Sequence, residues 1–192
     1  MTKVLVTGST GNIGKFVVEK LIEKKVEVKA SVRDLEKGKT IFPNNKVELV
    51  KFDLINQETY DEALNGVTKI FLMRPPQLAR PKEEVLPFLE VAKKVGVEHI
   101  VFVSLLGVEK NPVVPHRKIE EFIRNLGFHY TFLRPSFFMQ NLNTTHLDDI
   151  VNRDELFIWI PLLKSVFLNS IIPGLVYVIL RFKTSDIIEA TS

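Results

Sequence analysis

Apolar and polar positions alternate along the first 135 residues between short hydrophobic runs and amphipathic stretches. The first run carries Val4, Leu5 and Val6 straight into a glycine turn. Beyond the turn, Ile13, Phe16, Val17 and Leu21 recur at helical spacing, with Lys15, Glu19 and Lys24 opposite them. That spacing predicts an amphipathic helix with the apolar four turned inward. Residues 26–32 set Val26, Val28, Ala30 and Val32 against Glu27, Lys29 and Ser31, the two-residue period of a strand. A weak helix is expected over 35–41, stopping before Phe42-Pro43 because a residue before proline disfavours helix.

A third strand follows over 47–52, then a helix over 57–64 closed by Gly66, and a fourth strand over 69–73. Residues 83–94 read as a helix with Val85, Leu89, Ala92 and Val95 inward and Gly96 as its stop. Pro87 conflicts with that reading, since proline inside a helix costs about 3 kcal/mol, so the regular helix is expected to begin near it. Strand 99–103 ends at Ser104, a loop spans 105–115, and Ile119, Phe122, Ile123 and Leu126 stripe the next helix up to Gly127. Strand 130–133 follows. Strand and helix thus alternate six times with short connections, the pattern of an α/β open parallel sheet with helices on both faces. Right-handed crossovers give a doubly wound strand order of 3-2-1-4-5-6.

Composition narrows the class. A chain of 192 residues supports one domain with a real core and barely two. The net charge of +3 is carried by scattered lysines, which argues against nucleic acid as a partner. With no cysteine there is no disulfide, thiolate chemistry or thiolate-bound metal, in keeping with a cytoplasmic location. The first strand starts within three residues of Met1, so no signal peptide is expected. His99, His129 and His146 lack metal-ligand spacing, and no metal site is expected.

The chemistry starts at Gly8, Gly11 and Gly14, spaced G-x-x-G-x-x-G. A buried strand, a glycine turn and a helix N-terminus in succession make a dinucleotide phosphate site. Gly8 permits the turn, Gly11 lets backbone N–H groups approach a pyrophosphate, and Gly14 lets the helix pack against the strand. Arg33-Asp34 ends the second strand, about 20 positions on, where such folds read the adenosine ribose. Asp34 suits a ribose 2′-hydroxyl, Arg33 suits a 2′-phosphate, and a solvated loop pair is the structural alternative. Arg33 is favoured, and with it NADP(H) over NAD(H). Asp53 either accepts from an adenine amino group or caps the following helix. Met73 and Arg74 tip the fourth strand beside the glycine turn, at the reversal of strand order where ligands bind. Pro135, after the sixth strand, is counted with the same site.

Taken in order, VTGSTGNIG, SVRD, FDL, HIVFVS, the H-x-x-x-E of 116–120 and TFLRPSFFMQN resemble the NmrA-like atypical short-chain dehydrogenase/reductases. The resemblance covers about residues 1–157 and implies an NADP(H)-binding Rossmann domain. Members of that family include quinone and dye reductases, and redox-sensing regulators that bind the nucleotide without turnover. The resemblance implies that the backbone around Gly8, Thr10, Asn12 and Ile13 holds the pyrophosphate, that Arg33 holds the 2′-phosphate, and that Asp53 and Leu54 flank adenine. It also exposes a departure. The superfamily's Tyr-x-x-x-Lys is replaced by His116 and Glu120, with Ser104 in the position of the upstream serine. Four residues apart, His116 and Glu120 share a helical face. As a catalytic pair, His116, titrating near pH 6.5, delivers a proton and Glu120 orients its ring. As a structural pair, they are surface residues at the start of a helix.

Two readings follow. In the first, the chain is an NADPH-dependent reductase passing hydride to a small quinone-like or conjugated acceptor. In the second, it is an NADP(H)-binding redox-sensing regulator without turnover. Residues 1–156 are expected to form the nucleotide-binding domain, and 157–192 an atypical apolar tail, the remnant of a truncated or altered substrate-binding part. Phe137, Phe138 and Asn141 are candidates to face the acceptor, the two phenylalanines either stacking on it or packing in the core. Residues 165–180 form an uncharged run of 16, interrupted by Pro173-Gly174 and short of the roughly 20 a membrane span needs. A membrane helix is not expected there; a homodimer or protein contact through this segment is.

Overall fold

A computed structural model of the chain describes residues 2–43 and 47–135 and the strand Asp186–Glu189. Its sheet is parallel throughout, in the order β3-β2-β1-β4-β5-β6-β7. The strands are β1 (Lys3–Val6), β2 (Glu27–Val32), β3 (Glu48–Lys51), β4 (Lys69–Leu72), β5 (His99–Val103), β6 (His129–Arg134) and β7 (Asp186–Glu189). The first six follow the predicted order. Strand order reverses between β1 and β4, where Val4, Leu5 and Val6 register with Lys69, Ile70 and Phe71. The seventh strand comes from the stretch expected to be a tail, with Phe132 opposite Ile187. Four residues are too short a run to be read as a strand from sequence alone.

The helices are α1 (Asn12–Glu23), α2 (Leu35–Ile41), α3 (Tyr60–Leu64), α4 (Pro81–Glu84), α5 (Leu86–Lys94) and α6 (Pro115–Asn125). Successive strand residues feed opposite cores. On one face Leu5, Ile70, Leu72, Ile100, Phe102 and Phe132 pack with Tyr60, Phe88, Leu89, Ile119 and Ile123 of α3, α5 and α6. On the other, Val4, Val6, Phe71, Val101 and Leu133 pack with Ile13, Val17, Val18 and Leu21 of α1. Covering both faces of a parallel sheet removes its solvent side.

That double cover corrects the in-out reading of the second strand. Lys29 and Ser31 are buried together with Val28, Ala30 and Val32. Lys29 keeps its charge satisfied by donating to the Glu62 carbonyl at 2.7 Å and pairing with Glu48 at 3.1 Å. Phe16, expected inward, is 43% exposed, and Val18 takes its place in the buried stripe. The reason is that α1 approaches β1 along its Gly14 side, which turns Phe16 outward. The single helix expected over 83–94 is two, broken at Val85, with Pro87 in the first turn of α5 where a missing N–H costs nothing. Val95 lies beyond the end of α5 and is half exposed rather than inward. The helix expected over 57–64 starts with a 3-10 turn (Gln57–Thr59) before α3.

Candidate functional site

The glycine turn has the geometry its sequence implies. Gly8 sits at φ +62°, a conformation that L side chains rarely adopt, and its carbonyl accepts from the Gly11 N–H at 3.0 Å. Gly11 is the N-cap of α1, and the first intrahelical bond runs from the Lys15 N–H back to it. The N–H groups of Asn12, Ile13 and Gly14 therefore start the helix without an intrahelical acceptor and carry the positive end of its dipole. A Cβ on Gly14 would stand 2.7 Å from the Gly8 carbonyl carbon and 2.8 Å from the Ser9 Cα, so only glycine fits.

Two hydroxyls brace the turn, and neither stood out in the sequence. Thr7 accepts from the Met73 N–H at 2.7 Å and lies 3.2 Å from the Phe71 carbonyl, tying β1 to β4. Ser9, fully buried, donates to the Ser31 carbonyl at 2.6 Å, tying the turn to β2.

A cavity of about 250 Å³ opens beside the turn, over the carboxyl ends of β1 to β4. It brings together six of the predicted residues: Gly8, Thr10, Arg33, Asp53, Leu54 and Met73. Arg33 and Asp34 part company here. The Asp34 carboxylate caps α2, accepting from the N–H groups of Glu36 and Lys37 at 3.0 and 3.2 Å. Arg33 is exposed on the cavity wall, and its guanidinium has no partner among the described residues. Asp53 is not the helix cap. Its carboxylate accepts from the Ile55 N–H at 3.2 Å, while Asn56 caps the turn that leads into α3. Under the cavity, Phe52, Tyr60 and Phe88 cluster with ring centroids 5.0 to 6.0 Å apart. The Tyr60 hydroxyl holds the Leu54 carbonyl at 2.6 Å, and burial, with the nearby Asp53 charge, pushes the phenol up to about 12.

Arg74 does not line the cavity. Its guanidinium donates to the carbonyls of Pro75, Pro76 and Leu78, folding the loop whose Pro75, Gln77 and Leu78 form one wall.

The remaining candidates form a second cluster past the strand reversal. Glu120 is 1% exposed and receives the Ser104 hydroxyl at 2.6 Å, Arg134 at 3.0 and 2.8 Å, and Arg124 at 3.0 Å. It does not hydrogen-bond to His116, as the sequence suggested, because these donors claim its carboxylate. His116 instead stacks on Phe102, centroids 5.8 Å apart, and its Nδ1 is buried without a partner among the described residues. Burial, reinforced by the Arg74 charge and only partly opposed by Glu120, lowers the imidazole to about 4. Its ordinary titration near pH 6.5 is therefore lost. Arg134 was missed as a member of this group. A readable signal existed: His116, Ile119, Glu120 and Ile123 share one helical stripe, and a glutamate on an inward stripe needs a cation. Pro135 enters through its carbonyl, which accepts from the Leu106 N–H at 3.1 Å. Phe137, Phe138, Asn141, His146 and the apolar run 165–180 lie outside the described residues.

The model of the NmrA-like family matches residues 1–166. The chain belongs to the NmrA-like family. An NAD(P)H azoreductase of Xenophilus azovorans is 34% identical over 145 residues, covering 72% of this chain and 49% of its own. Prestalk A differentiation protein A of Dictyostelium discoideum is 32% identical over 142 residues, covering 73% of this chain and 46% of its own. This NmrA-like chain thus spans about half the length of the curated relatives it matches. In fold it superposes on the NADPH-dependent quinone oxidoreductase QOR2 of Escherichia coli, solved with NADPH. The TM-score is 0.80 at 22% identity, over 98% of this chain and 69% of the other. No helix among the described residues is long and apolar enough to cross a membrane.

Proposed function

We propose that the chain binds NADP(H) in preference to NAD(H) and serves as a reductase of a small conjugated, quinone-like acceptor. The observation that carries this reading is Arg33, without a partner among the described residues, on the wall of a cavity that begins at the glycine turn leading into α1. A guanidinium fork matches a 2′-phosphate, and helix N–H groups match a pyrophosphate. Asp34, the group that would favour a free ribose hydroxyl, is committed to capping α2. Asp53 and Leu54 would meet the adenine, and the Gly14 contact keeps the helix N-terminus close to β1. The cofactor, when bound, supplies the hydride; the chain holds and orients it.

Relatives that include an azoreductase and a quinone oxidoreductase support an acceptor of the conjugated class. Of the three residues assigned to chemistry, His116 is the one left for contact with such an acceptor. With its imidazole lowered to about 4, it is neutral at pH 7 and offers a ring N–H rather than an imidazolium. Electron-poor acceptors suit a site with so weak an acid.

A second reading, a nucleotide-sensing regulator without turnover, draws on the commitment of Ser104 and Glu120 to each other. One experiment separates the two. The purified chain is titrated with NADPH, a panel of quinones is added, and nicotinamide absorbance is followed. Oxidation of NADPH is the expected result. Binding without oxidation supports the regulator, and no binding removes both readings.

A further inference from the structure

The bonds that converge on Glu120 link three elements at one end of the sheet. Ser104 directly follows β5, Arg134 ends β6, and Glu120 and Arg124 belong to α6. A carboxylate has about four lone-pair sites, and here four donor contacts of 2.6 to 3.0 Å occupy them. Ser104 has one hydroxyl proton and gives it to Glu120. At 1% exposure, neither group is arranged to touch a ligand directly. Arg134 also reaches Glu109 at 3.2 Å, which anchors the loop between β5 and α6 to the same hub. Backbone bonds run alongside, from the Ser104 N–H to the Leu133 carbonyl at 2.7 Å and from the Leu106 N–H to the Pro135 carbonyl at 3.1 Å.

The place of this hub matters. Arg33 lies on the β2 side of the glycine turn, and the hub lies on the β5–β6 side, across the strand reversal. A dinucleotide bound over the carboxyl ends with its 2′-phosphate at Arg33 would lay its nicotinamide half toward β5 and β6. Side chains that contact a ligand hold their geometry only when the groups behind them are themselves locked.

We propose that Glu120 is a positioning residue that, through Ser104 and Arg134, fixes the carboxyl ends of β5 and β6 as the seat of the nicotinamide half of the nucleotide. The inference rests on the nucleotide site proposed above. It is distinct from a proton-transfer role for the His116–Glu120 pair, because the carboxylate acts on strand ends rather than on the imidazole.

Two ligands of different length test it in the full chain. Adenosine 2′,5′-bisphosphate reaches only the Arg33 end, whereas NADPH spans both. Glu120→Gln keeps the shape of the side chain and removes the charge that Arg134 and Arg124 require. This variant is expected to bind adenosine 2′,5′-bisphosphate within about twofold of wild type, as befits a remote site. Its affinity for NADPH is expected to fall about tenfold, from loss of one well-placed set of contacts. Ser104→Ala, which removes only the hydroxyl, is expected to move the same ratio in the same direction and carries the test if Glu120→Gln does not fold. Equal weakening of both ligands, or no change in either variant, overturns the positioning role. Failure of the wild-type chain to bind either ligand overturns the nucleotide site itself, and the inference with it.

Discussion

Gly14 meets the turn at Gly8 so closely that a Cβ on it would lie 2.7 Å from the Gly8 carbonyl carbon. The atoms in the way are backbone, which cannot swing aside as a side-chain end can. Gly14→Ala must therefore push α1 off β1 or distort the turn. A loss of about 3 kcal/mol or more is expected, at the upper end of what overpacking costs. Urea denaturation checks it, and a midpoint equal to wild type would mean that the helix has room to move.

Arg134 and Glu120 form the buried charge pair of the second cluster, 2.8 Å apart and 5% and 2% exposed at their side chains. Removing Arg134 takes away two of the four contacts to the buried Glu120 carboxylate and leaves it to Ser104 and the half-exposed Arg124, so Arg134→Met is expected to cost about 3 kcal/mol, the low end for breaking a buried pair. The double variant Arg134→Met/Glu120→Leu removes both charges and is expected to recover part of that loss. A double variant less stable than Arg134→Met would show that the carboxylate stabilises the fold through Ser104 and Arg124 alone.

His116 makes stability depend on pH with a definite sign. Its folded value is lowered from 6.5 to about 4, so between those values the unfolded chain binds the extra proton. Stability is then lost as pH falls from 7 toward 5, a window above the range in which Glu48 and Glu121 titrate. His116→Asn is expected to flatten that part of the curve. Denaturant midpoints for both chains at pH 7, 6 and 5 measure it, and parallel slopes would remove the burial argument for His116.

Much of the scaffold was readable because its signals are local. The glycine spacing, the proline at position 87 and the stripe at Ile119 and Ile123 each act within one or two turns of chain, and each appears where expected. What stayed hidden depends on contacts between distant segments. Lys29 looks like an outward residue until Glu62 and Glu48 arrive from elsewhere to receive its charge. The sequence favours Arg33 over Asp34, but the role of Asp34 stays open until the start of α2 at Leu35 turns the aspartate into a cap. Glu120 looks like a partner for His116 at helical spacing, and the competing donors come from β5 and β6.

The central claim is that Arg33 reads the 2′-phosphate of a nucleotide lying in the cavity beside the glycine turn. Calorimetric titration of the wild-type chain and Arg33→Ala with NADPH and with NADH tests it most directly. The wild-type chain is expected to bind NADPH at least about tenfold more tightly than NADH, the gain of one charge-assisted phosphate contact. Arg33→Ala is expected to erase that advantage while leaving NADH affinity nearly unchanged. Equal loss for both nucleotides in the variant, or equal affinity for both in the wild type, would contradict the assignment.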